Sequence, residues 1–262
     1  MNKCSGRDMQ RCNLIVDTGN TQTKIAVIGE SGEVLMEQVA AMPKLAAFDA
    51  IVERYAPSKA IVASTRGDAE HTAAILRGRV PYVLCMNSRT AVPIEVEYDR
   101  SMIGVDRLAA AVGAVEEYGR DCAMLIVDMG SAITFDYVEN GVFCGGNISA
   151  GVAMRFKALH DNTAALPMCD GSDFWASEEG EVALGRTTVE ALKAGVMQSV
   201  FYEVEGYAND FLKKNRDIRI IFTGGDAEYF VNRIKNAIFA GRKIMYCGLN
   251  RILEYNAANE KI

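Results

Sequence analysis

Residues 13–17 (NLIVD) form a short apolar run closed by the polar turn Thr18-Gly19-Asn20-Thr21, after which KIAVI resumes an extended pattern. A further turn at Gly29 and Ser31-Gly32 precedes VLMEQV, so the three runs read as a β-meander. In AAFDAIVERYA (46–56), Phe48, Ile51, Val52 and Tyr55 fall on one helical face. AIVAST (60–65) reads as a buried strand, DAEHTAAILRG (68–78) as a helix stopped by Gly78, and YVLC (82–85) as another strand. RLAAAVGAVEEYG (107–119) is a helix ended by Gly119, and Tyr118-Gly119-Arg120-Asp121 has the character of a linker.

After the linker the pattern starts again. LIVDTGNTQTKIAV (14–27) and LIVDMGSAITFDYV (125–138) align without gaps at an offset of 111 residues and agree at seven of fourteen positions. The second copy continues through FCGGNISAG, a helix over 153–164, a polar loop around 170–180, a long helix over about 188–213 and the strand IRIIFTGGD (218–226). A helix from Ala227 and a final helix from Gly248 complete it. Two β-then-α halves with related openings predict a duplicated α/β fold, 13–119 and 120–262, after a flexible leader over 1–12.

Composition narrows the chemistry. The 28 basic and 34 acidic side chains leave a net charge of −6, and half of the 262 residues are hydrophobic. That balance excludes whole-chain disorder and argues against a nucleic-acid partner, whose backbone selects clustered Lys and Arg. Seven cysteines without a C-x-x-C pair, and only two histidines, argue against zinc or a disulfide framework and point to the reducing cytoplasm. The N-terminus is too polar for a signal peptide, and every apolar run falls far short of the ~20 residues of a membrane span.

The repeated Asp-x-Gly carries the chemistry. Glycine lets the chain turn sharply with exposed N–H groups, which bind phosphate oxygens, and the strand-end Asp can hold a hydrated cation against those oxygens. Thr21, Asn20 and Lys24 add donors and a positive charge to the first copy, and Ser131 and Thr134 add hydroxyls to the second. Alone, Asp-Gly is also the commonest hairpin turn. Two copies, with a strand ending in Thr223-Gly224-Gly225 that suits close approach of an adenosine, favour two loops gripping a nucleoside triphosphate. Asp106, where a loop enters a helix between Gly104 and Arg107, is either a carboxylate favourable to the helix dipole or the group that orients an attacking hydroxyl.

These hairpins and the Thr-Gly-Gly turn resemble the phosphate and adenosine motifs of the acetate kinase, sugar kinase, Hsp70 and actin superfamily. Within it, DTGNTQTK (17–24), Tyr98, GVDR (104–107), DMGSAITFD (128–136), GGNISAG (145–151) and GRTTVEALKAG (185–195) resemble type III pantothenate kinase, in order and over nearly the whole chain from residue 13. The resemblance implies two ribonuclease H-like (actin-like ATPase) domains, each a mixed sheet flanked by helices. It implies ATP-dependent phosphorylation of pantothenate, the first step toward coenzyme A. By the same resemblance Asp106 accepts the proton of the substrate hydroxyl. Tyr98, Gly104, Val105, Arg107 and Thr188 contact pantothenate. Asp17, Thr18, Gly19, Asn20, Thr21, Gln22, Thr23, Lys24 and Ser131 belong to the ATP site, with Asp17 tied to Mg²⁺. Asp128 binds a monovalent cation, K⁺ or NH₄⁺, and the protein is a homodimer.

The chain departs from the family pattern in two places. Residues 99–103 (DRSMI) lack a usual proline, and Ala150 replaces the proline of Gly-Gly-x-Ile-x-Pro-Gly, which loosens both loops and tunes affinity. His71 and His160 lack metal-spaced partners and read as structural, and Trp175 is a lid anchor or simply packed. The apolar stripe 192, 196, 200, 204, 207, 208 and 211 on the long helix reads as core or as dimer surface. Two rival readings stand beside the kinase: a nucleotide-sensing transcriptional accessory factor without turnover, and a kinase of another small hydroxyl substrate. Retention of both Asp17 and Asp106 argues against the first, and the Gly-x-Asp-Arg element and short length against the second.

Overall fold

A computed structural model describes residues 11–41, 45–171, 184–234 and 237–260. The chain opens with β1 (Cys12–Thr18), β2 (Thr23–Gly29) and β3 (Val34–Ala40), an antiparallel meander. There follow α1 (Leu45–Tyr55), β4 (Lys59–Ser64), α2 (Ala69–Arg77) and β5 (Tyr82–Cys85). The sheet order is β3-β2-β1-β4-β5, with β4 parallel to both β1 and β5.

After β6 (Glu95–Val96) and α3 (Val105–Tyr118) the same succession repeats. The meander is β7 (Met124–Met129), β8 (Ala132–Glu139) and β9 (Val142–Ala150). Then come α4 (Val152–Asp161), α5 (Thr188–Lys214), β10 (Arg219–Thr223), α6 (Glu228–Val231), β11 (Ala237–Phe239) and α7 (Lys243–Asn259). The second sheet runs β11-β10-β7-β8-β9-β6, with β10 parallel to β7 and β11. β7 to β11 thus stand where β1 to β5 stand in the first sheet, and the duplicated mixed-sheet fold expected from the sequence is present twice over.

The chain divides into two compact units. One takes in the described residues of Met1–Glu95, Asp99–Glu117 and Ile244–Ile262, the other those of Val96–Tyr98 and Tyr118–Lys243. Helix α7, read from the sequence with residues 120–262, therefore belongs with the first unit. In that unit the sheet side chains Leu14, Val16, Ile25 and Val27 pack with Phe48, Ile51 and Leu76 of α1 and α2. In the second, Val127, Ile133 and Phe135 pack with Leu192, Val196, Val200, Val204 and Ala208, so most of the α5 stripe is intramolecular core.

Several boundaries moved, each for a local reason. Cys12, assigned to the leader, is buried at the start of β1. The helix expected from Ala227 is a single turn, and the short strands β6 and β11 carry too few residues to show a period. Helix α7 starts at Lys243 and runs through Gly248, which is a packing residue instead of a helix start. A Cβ on Gly248 would collide with the Ala109 carbonyl and lie 2.8 Å from the Gly113 nitrogen, and one on Gly113 would strike the Ile244 carbonyl. The two glycines let α3 and α7 touch backbone to backbone. Gly248→Ala should therefore destabilise the protein by about 1–3 kcal/mol, read as a lower urea midpoint. Among the described residues no helix is long and apolar enough to cross a membrane.

Candidate active site

The first hairpin is built around a buried carboxylate. Asp17 lies opposite Lys24 in the β1–β2 ladder and is 5% exposed, with Lys24 Nζ 3.5 Å from its Oδ2. Burial pushes the Asp17 carboxyl above its ordinary range. The Lys24 charge pulls it back down, and the charge of Asp106 adds to the rise. Thr18 and Thr23 are buried and brace the hairpin, Thr23 Oγ1 donating to Thr18 Oγ1 at 3.4 Å, while the Thr18 carbonyl accepts the Thr65 N–H at 3.0 Å. Only Gly19, Asn20, Thr21 and Gln22 form the turn, closed by Gly19 N–H donating to the Gln22 carbonyl at 3.0 Å. Of the segment 17–24, it is this turn, with Asn20, Thr21 and Gln22 exposed, that offers donors to a ligand.

Asp106 is the second residue of α3, and its placement explains the glycine before it. Its Oδ1 accepts the Arg107 N–H at 2.8 Å, folding the carboxylate back over the first turn of the helix. A Cβ on Gly104 would fall on that oxygen. Gly104 thus keeps open the space the carboxylate occupies, and Val105 opens the helix behind it. Arg107 follows Asp106 directly and is buried, only 5% exposed. Asp17 and Asp106 lie in the same unit, two carboxylates close enough to feel each other's charge.

The second hairpin differs from the first by its turn. Asp128 faces Thr134 in the β7–β8 ladder, and only Gly130 and Ser131 lie between the strands. Lys24 therefore corresponds in the ladder to Thr134, one residue short of the gapless alignment. The matches before the turn (Leu, Ile, Val, Asp, Gly) are structural equivalents, and the Thr and Val matches after it are not. Gly130 N–H donates to the Ala132 carbonyl at 3.0 Å, and Ser131 is exposed at the tip.

The Thr223-Gly224-Gly225 turn docks on the base of this hairpin. Gly224 adopts φ +95, and a Cβ there would lie 2.5 Å from both the Met129 backbone and Asp128 Oδ1, so only glycine fits. The Asp226 N–H donates to the Met129 carbonyl at 3.0 Å, and burial raises the Asp226 carboxyl. Asp226 is a polar neighbour of this turn that the sequence reading passed over, although it follows Gly-Gly directly.

The remaining candidates are spread over the second unit. Tyr98 packs edge-on against Phe143 of β9, ring centroids 6.0 Å apart. Thr188 opens α5 but does not cap it; Thr187 does, its Oγ1 accepting the Glu190 N–H at 3.2 Å while Glu190 Oε2 accepts the Arg186 N–H. Thr188 instead lines a groove of about 500 Å³ with Arg155, Leu159, Leu192, Val196 and Ser199. The structure thus brings residues 17–24 and 104–107 together in one unit, and Tyr98, Asp128, Ser131 and Thr188 belong to the other.

Both departures from the family pattern have local compensation. Asp99 Oδ1 accepts the Ser101 N–H at 2.9 Å and its hydroxyl at 2.7 Å, an Asx turn in place of the proline. Residues 145–150 are not a loop but part of β9, paired with β8 through Ala132↔Ala150. His71 is exposed, and His160 Nδ1 lies 2.9 Å from the Leu166 carbonyl. Trp175 and most of the 170–180 loop lie outside the described residues. No group of three or more His, Cys, Asp or Glu suited to a metal ion occurs among the described residues.

Comparison with known proteins bears on the fold and on the family. The chain has the fold of a Campylobacter jejuni protein provisionally described as a Baf family transcriptional activator, with TM-score 0.59 at 20% identity over 94% of this chain and 99% of that one. It shares the fold too of the 2-hydroxyisocaproyl-CoA dehydratase activator of Clostridium difficile, solved with bound ADPNP, with TM-score 0.52 at 11% identity over 96% and 98% of the two chains. A type III pantothenate kinase of Porphyromonas gingivalis is 39% identical over 248 residues, covering 93% of this chain and 98% of that protein. The family model for type III pantothenate kinase matches residues 13–210, a span that includes both Asp-x-Gly hairpins and the Gly-x-Asp-Arg helix start. With its motifs carried in order on the duplicated sheets, this chain belongs to the type III pantothenate kinase family.

Proposed function

We infer that this chain transfers the γ-phosphoryl group of ATP to the primary hydroxyl of pantothenate, giving 4′-phosphopantothenate at the head of coenzyme A biosynthesis. Family membership supports the reaction. The observation that carries its chemistry is Asp106 held over the mouth of α3, in the same unit as the buried Asp17 and the donor-rich turn 19–22. Asp106 takes the proton from the acceptor hydroxyl, whose oxygen bonds to the γ-phosphorus as the bond to the β-phosphate oxygen breaks and ADP leaves. Gly104, Val105 and Arg107 orient pantothenate around that carboxylate, with Tyr98 and Thr188 as further contacts. The Gly19–Gln22 and Gly130-Ser131 turns donate to the nucleotide phosphates.

A buried carboxylate opposed by one lysine at 3.5 Å and neighboured by a second carboxylate suits Asp17 to a Mg²⁺ ion carried with ATP. Such an ion, when bound, neutralises phosphate charge. Asp128, half-buried beside main-chain atoms and paired with Thr134 in the β7–β8 ladder, suits a monovalent cation. Asp128→Ala should abolish stimulation of turnover by K⁺, and unchanged potassium dependence would put the ion elsewhere. We further place the protein in the cytoplasm as a homodimer. Light scattering at micromolar concentration should give twice the chain mass, and a monomer would refute the dimer.

The substrate is tested by ADP release with pantothenate, sugars and acetate as acceptors, each with and without K⁺. Pantothenate-dependent ADP is expected. Release with a sugar alone would favour another small-hydroxyl kinase, and no acceptor-dependent release would favour a non-catalytic sensor.

A further inference from the structure

The helix after β9 carries an arginine whose side-chain contacts reach two other elements of the second unit. Arg155 Nε donates to the Ala150 carbonyl at 2.8 Å, and one terminal nitrogen donates to Ser149 Oγ at 2.8 Å, so its fork holds the last two residues of β9. Its other contacts go to α5, where it donates to Ser199 Oγ at 3.3 Å and pairs with the Glu203 carboxylate. Only 21% of the arginine side chain and 23% of the glutamate side chain are exposed, so the pair is better shielded than an ordinary surface bridge.

Directly after Ala150 the main chain closes on the second hairpin. Gly151 N–H donates to the Ser131 carbonyl at 3.2 Å. A Cβ on Gly151 would collide with the Gly130 carbonyl and lie 2.5 Å from that of Ser131. The tip of the hairpin therefore rests on the 149–151 backbone, and that backbone rests on the guanidinium. At the other end of the guanidinium lies α5, whose first residue, Thr188, shares the 500 Å³ groove with Arg155 and Ser199.

We propose that Arg155 is a positioning residue for the nucleotide: its fork fixes residues 149–151 so that the Gly130-Ser131 turn is preorganised for phosphate, with Glu203 and Ser199 anchoring the fork to α5. The proposal rests on the kinase reading above. A planar guanidinium is needed because two acceptors on successive residues and a carboxylate on another helix are met at once, which a lysine ammonium on one flexible stem cannot reproduce. Arg155 touches no reacting atom in this scheme. Its effect belongs on ATP affinity, because a turn displaced by a fraction of an ångström binds phosphate poorly.

The test uses the full chain with Arg155→Lys and Arg155→Met. ATP affinity is measured by calorimetry without pantothenate, beside KM for each substrate, kcat and the thermal midpoint. Arg155→Lys keeps a cation for Glu203 and should fold, yet bind ATP more weakly by on the order of 10–100-fold. KM for ATP should rise in step, and kcat at saturating ATP should fall much less. If Arg155→Met does not fold, Arg155→Lys decides. Wild-type ATP affinity in the lysine variant, or its failure to fold, would overturn the proposal and leave Arg155 a purely structural tie. A wild-type protein that binds ATP but ignores pantothenate would count against the substrate assignment and not against this role.

Discussion

Asp106→Asn should lower kcat by ~10²–10⁴ with pantothenate as acceptor, while ATP still binds. Asparagine keeps the volume and can still accept the Arg107 N–H that folds the side chain over α3, so the helix start survives. What disappears is the carboxylate proposed to take the acceptor proton, and with it a negative charge felt by Asp17. Since that charge helps hold the Asp17 carboxyl above its ordinary range, the Asp17 titration should move to lower pH in the variant. A carboxyl-labelled NMR titration reads this shift independently of turnover. Near-normal kcat would remove Asp106 from the role of base, and an unmoved Asp17 would mean the two carboxylates do not interact.

Asp17→Asn should act in opposite directions on activity and stability. Loss of the carboxylate should reduce kcat/KM for MgATP by on the order of 10²–10³. Stability near neutral pH should rise. The folded-state pKa of Asp17 is raised chiefly by burial, so the folded state holds its proton more tightly than the unfolded state. Stability therefore falls as pH climbs from the unfolded pKa through the higher folded one, and the cost is fully present above it. The asparagine variant lacks that ionisation and should melt higher than wild type at pH 7, with the advantage shrinking toward acid pH. Removing Lys24, which opposes the effect, should do the reverse and depress the neutral melting temperature. An Asp17→Asn protein that is both less active and less stable would mean Asp17 is a structural ion-pair partner.

The two hairpins were legible because an apolar strand ending in Asp-x-Gly marks both a boundary and a donor-rich turn. The equivalence of their second strands was not. Thr23 and Thr134 agree by identity, but the two-residue turn at Gly130-Ser131 shifts the ladder so that Thr134, not Phe135, answers Lys24. Gly248 looked like a helix boundary because glycine usually is one, whereas its reason is the backbone of α3, distant in sequence. Thr187 and Thr188 are adjacent and chemically alike, so only the Glu190 contact separates the cap from the groove residue. The carboxylate of Asp106 was legible as a candidate, but the steric demand it places on Gly104 is not. Arg155 resembled any polar helix residue, since its acceptors come from β9 and α5.

Phosphorus NMR of the products formed from γ-labelled ATP and pantothenate tests the central claim most directly, since it reads where the phosphoryl group goes. Label in a phosphomonoester coupled to methylene protons, formed in step with ADP and lost in Asp106→Asn, is the outcome expected of a primary-alcohol kinase. Label found only as inorganic phosphate, or ADP formation indifferent to pantothenate, would contradict it.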